Sequence, residues 1–125
     1  MVSGKDFNEV RRKIREAKKQ NPGRNIVFTS DDDELNRKVL EKENIEILLI
    51  SQRGRKDSLK QRNSGFNQVL AKLAKKKGIA IGINLDEIIK VGQEEKAEII
   101  ARVRQNIMLC NKNKLKIVFF PELKD

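Results

Sequence analysis

At 125 residues the chain has the length of one domain, and its 28 Lys and Arg against 18 Asp and Glu give a net charge of +10 that points to a polyanionic partner. No apolar run approaches the ~18 residues of a membrane span and Met1 to Asp6 carries no signal-peptide stretch, so a cytoplasmic setting with no membrane partner is expected. Histidine is absent, which excludes His-based metal centres and Ser/His or Cys/His catalysis and leaves carboxylates and lysines for any chemistry.

In chain order, Phe7, Val10, Ile14 and Ala17 recur at three- and four-residue spacing, which predicts a basic amphipathic helix within residues 1–22, stopped at Asn21-Pro22-Gly23. Asn25 to Thr29, with Ile26-Val27-Phe28 at its centre, reads as a strand. Ser30 or Asp31 then caps a helix carrying Leu35, Val39 and Leu40. Ile45 to Ile50 is almost continuously apolar, the pattern of a parallel strand covered on both faces.

From residue 51 to 64 the chain turns polar and basic without periodicity, a loop long enough to be functional. Ser64-Gly65 opens the next helix, with Phe66, Val69, Leu70 and Leu73 on one face and Lys72, Lys75, Lys76 and Lys77 on or near the other; Gly78 stops it. Ile79 to Leu85 is a third strand. A short helix at Asp86 to Lys90 and a longer one from about Glu94 to Lys112 follow, the latter acidic at its start and basic at its end in accord with the helix dipole. Leu115 to Phe120 forms the fourth strand. Cys110, spaced with Ile100, Val103 and Ile107, reads as a buried small apolar residue. The alternation predicts one α/β domain over 1–125, with right-handed βα units and a single parallel sheet.

Two clusters bear on chemistry. Arg53, Arg55, Lys56, Lys60 and Arg62 crowd a loop directly after a strand, where α/β proteins place ligands. Guanidinium groups suit phosphate through paired donors, and Ser64 with nearby helix-start amides adds a candidate anion site. With Lys72, Lys75 and Lys76 close by, a continuous phosphate-binding surface outweighs a merely solvated loop. With five Phe and no Tyr or Trp, recognition is expected through backbone and shape rather than base stacking. Asp31-Asp32-Asp33-Glu34, the one acidic cluster, is read as helix capping in preference to a Mg²⁺ site, since no second carboxylate region converges on it. Gly78, Gly82 and Gly92 fit no nucleotide-binding glycine motif.

The stretch Arg62-Asn63-Ser64-Gly65-Phe66-Asn67-Gln68-Val69-Leu70-Ala71-Lys72-Leu73-Ala74, followed by Gly78-Ile79-Ala80-Ile81, resembles the signature of archaeal ribonuclease P protein component 3, the thirty-kilodalton subunit family. Glu34 to Arg37 with Ile45 to Leu48, and Arg102 to Ile107 leading through Lys112 to Val118, add to the likeness in the right order. The resemblance implies a TIM-barrel-like fold related to metal-dependent phosphoesterase barrels. It further implies a non-catalytic subunit that assists ribonuclease P RNA in removing the 5′ leader of precursor tRNA, associates with ribonuclease P protein component 2, and leaves Mg²⁺ to the RNA, with no cofactor on the protein. On that implication Asn63 and Ser64 join the basic loop and the lysines as RNA-binding residues.

Three departures stand out: Gln68 where the family usually has His, Gly82 where an acidic residue is common, and Phe119-Phe120-Pro121 in place of a Ser-rich strand end. Four predicted strands cannot close a barrel that needs about eight, so a half-barrel or open sheet is expected, its other half supplied by component 2, a second copy of the chain in a homodimer, or the RNA. A ribosomal or small-ribonucleoprotein role and, more remotely, a metal-dependent phosphoesterase are the competing readings.

Overall fold

The computed structural model describes residues 1–52, 55 and 63–121. Asp6 opens α1 (Phe7–Gln20) by accepting a hydrogen bond from the Glu9 amide at 2.9 Å, and Val10 and Ile14 form the buried stripe of the helix. Next come β1 (Val27–Ser30) and α2 (Asp33–Lys42), then β2 (Ile47–Ile50). Asp32 caps α2, its carboxylate accepting from the amides of Glu34 at 3.0 Å and Leu35 at 3.3 Å. The acidic cluster therefore begins a helix, as read from the sequence, with the cap one residue beyond Asp31.

The second half of the chain contains α3 (Gln68–Lys77), β3 (Ala80–Asn84), the short α4 (Asp86–Ile89), α5 (Gln93–Lys112) and β4 (Ile117–Phe120). Helix α3 starts three residues later than the Ser64-Gly65 reading. Gly65 sits at φ +77°, outside helical space, and Asn67 supplies the cap by accepting from the Leu70 amide. Gly78, at φ +70°, closes the helix with its amide on the carbonyls of Ala74 and Lys75, the left-handed stop for which glycine is suited.

The strands lie in chain order, β1-β2-β3-β4, all parallel. Sequential order with right-handed crossovers places every helix on one face, unlike a doubly wound sheet whose order reverses at a switch point. This is the βα array of TIM-type barrels, here with four strands. One addition escaped the sequence reading. Val2 pairs with Phe28 in a parallel bridge, its amide donating to the Val27 carbonyl at 2.7 Å and its carbonyl accepting from Thr29 at 3.1 Å. A lone apolar residue ahead of a helix carries no strand periodicity.

The register gives the sheet two faces. Phe28, Leu48, Ile50 and Ile81 point toward the helices and pack with Val10, Ile14, Val39, Leu40, Ala71, Ala74 and Cys110 in the main core. Ile83, Ile99 and Val103 form a smaller cluster under α5. Cys110 is buried as expected, but the isoleucine on the buried side of α5 is Ile99, while Ile100 is 45% exposed. Ile47, Leu49, Ala80 and Gly82 alternate onto the opposite face. A Cβ on Gly82 would lie 2.9 Å from Phe120 Cε2 and 3.1 Å from Leu49 Cδ1. The Phe120 ring thus occupies the space that a side chain at position 82 would need.

Candidate nucleic-acid interface

The C-terminal ends of the strands converge on a buried polar knot. Ser51 and Gln52 leave β2, and Glu87 on α4 follows β3. The Glu87 carboxylate accepts from Ser51 Oγ at 2.9 Å and from the Gln52 amide at 3.1 and 3.2 Å, with the residue only 5% exposed. Gln52 Nε2 donates to the Ser64 carbonyl at 2.7 Å, and Asn106 Nδ2 of α5 donates to the same oxygen at 3.1 Å. Arg102, also on α5, reaches across to the carbonyls of Gln52 at 3.3 Å and Arg55 at 2.8 Å. The two ends of the basic segment, 51–52 and 63–66, are thereby tied to each other and to α5.

Arg55 completes the tie. Its Nη1 and Nη2 donate to the two carboxylate oxygens of Asp33, both at 2.9 Å, while Nε donates to the Ser51 carbonyl at 2.6 Å and Nη1 also meets Asn63 Oδ1 at 3.1 Å. A planar guanidinium is the one cationic group that can satisfy such a forked arrangement. Gly65 makes room for it: a Cβ there would overlap Arg55 Nη2 and lie 2.8 Å from Ile50 Cγ2. The Ser-Gly pair in the family-like signature thus has a physical reason, a left-handed residue over which an arginine passes.

Among the residues expected to bind RNA, Arg53, Lys56, Lys60 and Arg62 lie outside the described residues. Arg55 and Ser64 both turn inward. The Arg55 side chain is 7% exposed in its pair with Asp33. Ser64 is 2% exposed, donating from Oγ to the Phe66 carbonyl, and the cap of α3 is Asn67. Asn63 is exposed beside Arg55. Lys72, Lys75 and Lys76 are exposed on α3. Lys75 donates to the Lys114 carbonyl at 3.1 Å, whereas Lys72 and Lys76 make no ion pair among the described residues. Lys77 instead straps α3 to the end of α2 through the carbonyls of Glu41 and Glu43.

Glu87, Gln52 and Arg102 were missed by the sequence reading. Their one signal was an arginine set within the buried stripe of α5, between Ile99 and Asn106. Gln68 forms a two-way amide pair with Asn113, the residue that ends α5, at 3.2 and 3.0 Å. Burial pushes the Cys110 thiol up to about 11, which keeps it protonated near neutral pH. Among the described residues, no group of three or more Cys, Asp or Glu is placed to hold a metal ion, and no helix is long and apolar enough to cross a membrane.

No family model matches the chain. Ribonuclease P protein component 3 of Methanococcus vannielii is 28% identical over 93 residues, covering 74% of this chain and 38% of that protein. The protein of the same name from Methanococcus maripaludis (strain C7) is 25% identical over 117 residues, 94% of this chain and 47% of the relative. The chain therefore spans less than half the length of these curated relatives. In fold it matches a chain of a cryo-EM structure of archaeal ribonuclease P with mature tRNA, with a TM-score of 0.82 at 23% identity over 99% of this chain and 50% of the other. The fold of this chain thus matches about half of that larger chain.

Proposed function

With the chain placed as a relative of ribonuclease P protein component 3, we propose that it is a non-catalytic subunit that binds the catalytic RNA and supports removal of the 5′ leader from precursor tRNA. The observation that carries this reading is the pair of exposed lysines, Lys72 and Lys76, which make no ion pair among the described residues, within the very stretch that bears the family likeness. Ammonium groups so placed neutralise backbone phosphates and release condensed counterions. The polar knot does different work in this reading: it ties residues 51–52 and 63–66 to each other and to α5. Cutting is left to the RNA and its Mg²⁺. Ribonuclease P protein component 2 is the protein partner proposed, with precursor tRNA reached through the RNA.

The test is reconstitution. Ribonuclease P RNA from a methanococcal archaeon is assayed on precursor tRNA at limiting Mg²⁺, with and without this chain and with and without component 2. The reading expects faster cleavage on adding the chain and no cleavage by the chain alone. Cleavage that is indifferent to the chain under every combination would overturn it.

A further inference from the structure

A second cationic surface lies on the helical layer, apart from α3. Along α1, Arg11, Arg15 and Lys19 recur every four residues and, with Asn8 and Arg12, line an open groove of about 470 Å³. Across the seam, Lys38 and Lys42 of α2 bring their ammonium groups to 5.9 Å from the centre of the Phe7 ring, and the Arg11 guanidinium lies 5.7 Å from it. The negative face of one aromatic ring moderates the mutual repulsion of three cations.

Local carboxylates neutralise only part of this surface. Glu43 lies 3.6 Å from Arg11 and Glu16 lies 2.9 Å from Arg12. Arg15, Lys18, Lys19, Lys38 and Lys42 make no ion pair among the described residues. Solubility alone would be served by cations dispersed among carboxylates, as on α5, where Glu94, Glu95 and Glu98 accompany Lys96, Arg104 and Lys112. Concentration on one seam, with like charges left facing solvent, is what a polyanion offsets.

Position narrows the ligand. Helix α2 packs against α1 on one side and α3 on the other, so at interaxial distances of about 8–10 Å the α1 and α3 ridges stand roughly 16–20 Å apart on one face. That spacing suits two rows of phosphates on one duplex, the kind of RNA recognised through backbone and shape. A single strand would want exposed aromatic platforms on this face, whereas Phe28 and Phe66 are buried, Phe7 is enclosed by cations, and the half-exposed Phe119 belongs to β4 at the opposite edge of the sheet.

We propose that the α1–α2 seam is a second phosphate-binding surface, engaging one strand of a double-stranded RNA segment whose other strand is held by the α3 lysines. The inference rests on the RNA-binding reading of α3 given above. The full chain, its Arg15→Ala/Lys19→Ala/Lys42→Ala variant, its Lys72→Ala/Lys76→Ala variant and the combination are titrated with an RNA duplex of about 24 base pairs, and with one strand of it, over a range of salt. Circular dichroism checks that each variant remains folded. The seam variant is expected to lower the slope of log affinity against log salt by about 2–3 and the α3 variant by about 2, near 0.9 per phosphate contact, with additive loss in the combination and weaker binding of the single strand. A seam variant with unchanged slope beside an α3 variant with a reduced one overturns the second surface and leaves the function standing. Unchanged slopes in both overturn both. Equal affinity for duplex and single strand overturns the assignment to duplex RNA.

Discussion

At the C-terminal rim of the sheet, Arg55 and Arg102 keep their side chains 7% and 2% exposed and direct every described hydrogen bond into the protein. On the outer faces of α1 and α3, Arg15, Lys19, Lys72 and Lys76 stand in solvent without an ion pair among the described residues. The residue types overlap and the charge is the same, yet the first pair holds the fold together and the second set is free to meet a ligand. Net charge alone does not separate a cation that stabilises from one that binds; the direction of its side chain does.

The sharpest way to break this distinction is Arg102→Ala. It removes two charge-assisted bonds to the carbonyls of Gln52 and Arg55 from a site almost without solvent, and the loss expected is about 2–4 kcal/mol. Urea denaturation measures it; a loss below 1 kcal/mol would mean that Arg102 is not structural. Gly65→Ala comes next, at about 2 kcal/mol. The left-handed conformation accounts for about 1–2 kcal/mol of this, and the remainder comes from displacing Arg55. Since Asp33 then loses its bidentate partner, the variant should also be insensitive to a further Asp33→Asn change, a coupling that a double-mutant cycle reads directly. Asp32→Ala removes the cap of α2 and should cost about 1 kcal/mol in the same assay. At the bottom of the scale, Lys72→Ala with Lys76→Ala should change stability by less than about 0.5 kcal/mol, because both side chains are exposed and make no ion pair among the described residues.

Much of this architecture was legible in the sequence because apolar periodicity reports it. Ile45 to Ile50 read as a strand covered on both faces, and Ile47–Ile50 is one; Val10 and Ile14 marked the inner side of α1. Strand ends were less clear: Ile26 and Ile45 are buried at the sheet entrance yet precede the ladder, so burial carried the reading past the hydrogen bonding. The knot was illegible for a different reason. Glu87, Gln52, Ser64, Arg102 and Asn106 come from four separate segments, and each looks in isolation like an ordinary surface residue. Arg55 shows the same limit from the other side. Its place in a basic run suggested a phosphate ligand, and only the proximity of Asp33, twenty-two positions earlier, turns it inward.

The central claim, that outward cations bind RNA while inward ones hold the fold, meets its most direct test in Lys72→Ala/Lys76→Ala with ribonuclease P RNA as ligand, measured by filter retention across a series of salt concentrations. The account predicts an unchanged denaturation midpoint together with a salt slope shallower by about 1.4–1.8, two phosphate contacts at roughly 0.7–0.9 each. A variant that binds with the wild-type slope would contradict it.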